Sequence, residues 1–206
     1  DHLEMETIQH FRDDKITFIV PLGVSSHLKK WGVPSDKIVE LDWWQTMLID
    51  ELEFICTPAQ HYSGRKGMTD IQKSLWASWV VTSDNESIYY SGDSGYGDHY
   101  QQIGDRHGPF DLVFMDSGQY NVRWQGVHNM PEQAVQAFRD TKGKHLVPVG
   151  WGMFSMAMHD WYEPPAEIHK IASAQKLSVI LPVLGQRVDI KNLPLLEKWW
   201  ESDLQK

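Results

Sequence analysis

An α/β layered fold is predicted for this chain of 206 residues by three observations. Short β-rich runs alternate with helix-type segments along the first third, which is the rhythm of β-α-β units. Several apolar runs stop at proline or glycine and release a polar side chain into a loop. The length and an apolar content of 41% suit a single domain, here residues 1–206, with a substantial core.

Taken in order, Met5 to Arg12 has helical composition. The run Ile16-Thr17-Phe18-Ile19-Val20, within Lys15 to Leu22, predicts a buried strand stopped by Pro21. Gly23-Val24-Ser25 offers a cap for a short helix to Lys30, ended by Gly32 and Pro34, and Ile38 to Asp42 follows as a strand. From Gln45 to Thr57 apolar and polar residues partly alternate around a turn at Asp50-Glu51. Leu75–Thr82 and Ile88–Tyr90 flank the turn Ser83–Glu86 as a hairpin. A helix is expected over Tyr96–Ile103 and a short buried strand over Asp111–Met115. Pro131 opens a helix to about Thr141, because proline suits a first helical turn and the apolar spacing behind it is helical. Leu146–Val149 reads as a strand, Pro165–Ala174 as a helix, Val179–Val183 as a returning strand, and Leu193–Leu204 as an amphipathic tail.

Composition removes several classes of function. A net charge of −9 with no basic stripe argues against nucleic acid as a partner, because phosphate recognition rests on clustered Lys and Arg. No run is long and apolar enough for a transmembrane segment. The single cysteine, Cys56, excludes an internal disulfide framework and fits a reducing compartment. A cytoplasmic or peripheral-membrane location is expected. The ten tryptophans fit core packing first. Trp124 and Trp151 adjoin polar motifs and are candidates for an apolar substrate wall.

Three strand ends release chemistry: Cys56-Thr57-Pro58-Ala59-Gln60-His61, Ile88-Tyr89-Tyr90-Ser91-Gly92-Asp93, and His145-Leu146-Val147-Pro148-Val149-Gly150. With Asp1-His2 at the front they read as a divided metal site, since zinc-like ions take His and carboxylate donors from separate segments. Taken singly, His61 is also compatible with a hydrogen-bonded surface histidine, and Asp93 with an Asx turn.

These motifs, with Ser63-Gly64-Arg65, Gly92-Asp93-Ser94-Gly95-Tyr96, His128 before Met130-Pro131-Glu132, Trp151-Gly152 and Glu163-Pro164-Pro165, resemble the metallo-β-lactamase superfamily. Within it they are most similar to the branch of N-acylphosphatidylethanolamine-hydrolysing phospholipase D, the ascorbate-phosphate lactonases and zinc-dependent hydrolases. The resemblance implies a four-layer αββα sandwich, N-terminally incomplete here, because the family's His-x-His-x-Asp-His motif is represented only by Asp1 and His2. It implies two zinc ions in the complete protein, with manganese and iron accepting the same donors. Asp1, His2, His61 and Asp93 would be metal ligands, with Asp1 also orienting the attacking water. His128 and His159 would be catalytic groups that steady a phosphate or donate a proton to the leaving oxygen, although each also suits a structural histidine. Arg65 would hold an anionic group or brace its loop.

Gly150 departs from the pattern, since the family writes His-Trp-Gly where this chain has Gly150-Trp151-Gly152. Strand alternation gives no reason for His145 or His159 to take its place. The implied function is hydrolysis of a phosphodiester such as an N-acyl phospholipid, a small-molecule or lipid ester in any case. A lactone or another ester is the alternative substrate. A degenerate protein that binds a ligand or serves as a scaffold is the alternative in kind. The state of association is left open.

Overall fold

The protein is described by a computed structural model covering residues 2–64, 71–154, 156–193 and 198–203. A small parallel sheet opens the chain. It pairs β1 (Phe18–Pro21) with β2 (Ile38–Leu41), connected through the helix α2 (Ser25–Lys30). Helix α1 (Met5–Phe11) precedes it, started by the Glu4 carboxylate, which accepts from the backbone N–H groups of Glu6 and Thr7. Val20, Leu28 and Val33 form the buried centre of this layer, with Leu3, Ile8 and Phe18 packed against them. No side chain of the Gly23-Val24-Ser25 segment caps α2. Instead the Ser25 N–H donates to the Glu40 carboxylate at 3.0 Å, which ties the helix start to β2.

The larger sheet has six strands in chain order: β3 (Thr46–Ile49), β4 (Leu52–Pro58), β5 (Ala77–Thr82), β6 (Ser87–Tyr90), β7 (Phe110–Asp116) and β8 (Gly143–Val149). The first three pairings are antiparallel and the last two parallel. A two-residue turn joins β3 to β4 with Asp50 at φ 52°, a conformation aspartate tolerates. Between β5 and β6 the Ser83 hydroxyl accepts from the N–H groups of Asn85 and Glu86, closing the expected hairpin.

Register decides which side chains are buried. Ile55, Val80, Tyr89, Val113 and Leu146 are cross-strand partners in one row, and all are 2% exposed or less. This row packs under α3 (His99–His107), α4 (Pro131–Asp140) and α5 (Glu163–Ala174), which contribute Ile103, Phe138 and Ile168 to the same core. The next row, Cys56, Trp79, Tyr90, Phe114 and Val147, points to the opposite face. Trp79, Tyr90 and Phe114 there are half-buried or exposed, on the side that borders the small sheet. Two sheets with helices outside each are the layers the family resemblance implies.

Two elements differ from the sequence reading, and the tail expected over Leu193–Leu204 is described only at 193 and 198–203. Helix α3 begins at His99 rather than Tyr96, because Ser94, Gly95 and Tyr96 are used by loop contacts. The segment from Val179 makes one parallel bridge to Leu146 and no strand, and Pro182 lacks the N–H that a longer ladder would require. The tail contributes α6 (Trp199–Asp203), where Trp200 is fully buried and Trp199 stacks on Trp151 at 5.5 Å.

Candidate metal centre

Strand direction brings the site together. Strands β6, β7 and β8 are mutually parallel, and two antiparallel steps make β4 parallel to them. Their C-terminal ends therefore share one edge, where open α/β sheets build sites. The loop after β4 carries His61, the loop after β6 carries Asp93, β7 ends on Asp116, and β8 hands on to Gly150.

The first two loops are stitched by backbone. Gln60 N–H donates to Ser94 Oγ at 2.9 Å, and Gly95 N–H donates to Gln60 carbonyl at 2.9 Å. The Gln60 side chain reaches the Gly126 carbonyl at 3.0 Å, adding the loop that carries His128. Gly95 permits this approach, because a Cβ there would lie 2.5 Å from the Gly126 backbone. His61, Asp93 and His128 consequently converge, each half-buried, with one ligand-type atom apiece within 4.8 Å of the others. The donor set suits a divalent ion, since two imidazoles and a carboxylate from three separate segments are what a zinc-like site requires.

Beside them, His2 Nε2 is 2.8 Å from Asp93 Oδ2. His61 Nδ1 lies 2.8 Å from the Tyr62 carbonyl, which fixes the ring. His128 Nδ1 is 2.8 Å from Asp116 Oδ2, a carboxylate whose side chain is only 3% exposed. The Ser94 N–H also donates to Asp116 Oδ2, at 3.2 Å, and the Asp116 N–H donates to Ser91 Oγ at 2.8 Å. Burial pushes the Asp116 carboxyl upward against the opposing pull of His128. Burial works to lower His128, but the hydrogen bond and charge of Asp116, with Asp93 beyond, outweigh it and hold the imidazole above its ordinary value.

A cavity of about 480 Å³ opens beside this cluster, lined by His2, His61 and Asp93 and by apolar groups that include Ile19, Val20, Trp76 and Trp79. A larger hollow of about 760 Å³ lies at the other end of the parallel strands, around Glu86, Asp111, His145 and Lys191. Among the described residues, no three metal-binding side chains converge there.

Asp1 and Arg65 lie outside the described residues. His159 stacks on Tyr120 at 4.3 Å, apart from the three-residue cluster. Trp124 Nε1 donates to the Gln119 carbonyl at 2.6 Å and Trp151 Nε1 to the Pro148 carbonyl at 3.0 Å. Trp76 and Trp79 border the cavity beside His61 and Asp93. His145 sits near the start of β8 and bonds Ser178 at 2.8 Å, far along the strand from Gly150. Asp116 is the site residue that sequence reasoning missed. The signal was there: an acidic residue directly follows the apolar run Leu112-Val113-Phe114-Met115, as Asp93 follows its own strand.

Paired sheets with outer helices, and a His-Asp-His cluster on the C-terminal edge of the larger one, define a metallo-β-lactamase-type domain. The chain belongs to the beta-lactamase superfamily, whose domain profile matches residues 1–151. An uncharacterized protein of Mycobacterium tuberculosis is 43% identical over 204 residues, covering 97% of this chain and 54% of that protein. N-acyl-phosphatidylethanolamine-hydrolyzing phospholipase D 1 of Caenorhabditis elegans is 29% identical over 194 residues, 85% of this chain and 53% of that one. The chain thus spans about half the length of these curated relatives. Among solved structures, Igni18, a metallo hydrolase of the archaeon Ignicoccus hospitalis, superposes with a TM-score of 0.68 at 20% identity, over 88% of this chain and 71% of that one.

Proposed function

We propose that the protein is a metal-dependent hydrolase of lipid-like esters, with a phosphodiester of the N-acyl phospholipid class as its first candidate substrate. The observation that carries this reading is the convergence of His61, Asp93 and His128 beside a cavity with an apolar wall. His61 and Asp93 would hold the metal, and His2 stands against the same Asp93 carboxylate. When bound, the metal supplies an acidified water and a Lewis acid for the developing oxyanion. The chain's own residues do the rest. The Gln60–Ser94 and Gln60–Gly95 hydrogen bonds keep the two ligand loops in register. Ile19, Val20, Trp76 and Trp79 give an acyl chain an apolar surface. The relationship to the nematode phospholipase D favours the phosphodiester over a lactone.

Gly150 favours a second reading, a degenerate domain that binds a ligand without turning it over, because glycine brings no donor to the edge where β8 ends. One experiment separates the two. Full-length protein reconstituted with zinc would be analysed for metal and assayed on N-acyl phosphatidylethanolamine vesicles, bis-p-nitrophenyl phosphate and lactones. The hydrolase reading expects bound metal, release of phosphatidic acid, and loss of both in His61→Ala. Metal-free protein with no turnover on any ester would leave the ligand-binding reading in its place.

A further inference from the structure

We propose that His128 is a metal ligand rather than an acid-base group, and that Asp116 is the residue that positions it. The inference deepens the hydrolase reading and rests on it. The geometry has three parts. His128 offers a nitrogen within 4.8 Å of ligand atoms of both His61 and Asp93, and its ring lies 5.4 Å from that of His61, nearly perpendicular. Its Nδ1 is 2.8 Å from Asp116 Oδ2, so with the carboxylate accepting there Nε2 would be the nitrogen turned to a metal. A carboxylate behind an imidazole is the usual way a metal-binding histidine has its tautomer fixed and its basicity raised.

The carboxylate itself is held for that task. It is buried at the end of β7, it accepts from the Ser94 N–H, and it is anchored through the backbone bond from Asp116 N–H to Ser91 Oγ. Ser94 directly follows Asp93, so one carboxylate couples the backbone of the Asp93 loop to the ring of His128. Gly150 borders the same group: a Cβ built on it would stand 3.5 Å from Asp116 Oδ1. The end of β8 therefore approaches Asp116 without bringing a side chain, and the imidazole reaches the cluster from the loop between β7 and α4. A carboxylate at Nδ1 serves a proton-shuttling imidazole equally well; what favours ligation here is a nitrogen placed within 4.8 Å of ligand atoms of both His61 and Asp93.

The test is cobalt and zinc binding by the full-length protein, read by metal content, competition affinity and the visible spectrum of bound cobalt. His128→Ala should lose affinity and shift the cobalt spectrum, and added imidazole should restore both. Asp116→Asn should weaken binding by about 10- to 100-fold while keeping the ligand set. His128→Gln supplies a near-isosteric second variant, with circular dichroism as the check on folding. Variants that bind metal with wild-type affinity and spectrum, losing only turnover, would overturn the ligand assignment and leave the hydrolase reading standing. A wild-type protein that binds no metal, with His61→Ala indistinguishable from it, would overturn both.

Discussion

His99 is half-buried against Ser94, its Nε2 3.1 Å from the hydroxyl, and burial lowers its pKa from 6.5 to about 4 although Asp98 pulls the other way. The folded protein thus keeps this imidazole neutral where the unfolded chain would protonate it. Its contribution to stability is complete above pH 6.5 and is lost as pH falls from there to about 4. Urea unfolding of wild type and His99→Gln should show the wild type losing up to about 3 kcal/mol more over this interval. Equal pH slopes would refute the assignment. Cys56 is fully buried, and burial with the nearby Asp42 charge pushes its thiol up to about 12. It should therefore resist thiol reagents in the native state and react fully in denaturant. Gly150 has φ +83°, so Gly150→His meets backbone strain even though its Cβ has ordinary room at 3.5 Å from Asp116 Oδ1. The substitution should cost about 1–2 kcal/mol in thermal or chemical unfolding; a neutral effect would mean that the loop re-forms.

The parallel end of the sheet depends on the row from Ile55 to Leu146, because that row carries the packing against the three outer helices. Truncating Leu146 to alanine should destabilise the protein by about 2–5 kcal/mol, the usual cost of a cavity in a closed core. The loss would be read as a lower urea midpoint. Strands β4, β6, β7 and β8 were legible because each is a β-rich run punctuated by proline, glycine or serine. The starts and ends were less so. Tyr96 is drawn out of α3 by its hydroxyl bond to Asp140 at 2.6 Å, a contact across 44 residues that local pattern does not encode. Val179–Val183 has strand composition but bridges at one position only, since tertiary packing and Pro182 override propensity.

Assembly of the whole domain explains which site residues could be found in advance. His61 and Asp93 announce themselves as polar residues released from strand ends, and parallel topology brings those ends to one edge. Asp116 carries the same signal at the end of its own apolar run, but its pairing with His128 arises only when β7 and the following loop are folded together. Trp79 and Tyr90 of the larger sheet line the cavity together with Ile19 and Val20 of the small one, so substrate and metal would meet where two layers adjoin. Among the described residues no helix is long and apolar enough to cross a membrane. In the proposed site the ends of β4 and β6 grip one cation. Anomalous diffraction at the zinc edge, from crystals of the full-length protein, locates that cation. The expected peak lies about 2.0–2.2 Å from donor atoms of His61 and Asp93, and a zinc peak bound elsewhere, with those side chains out of reach, would refute the site.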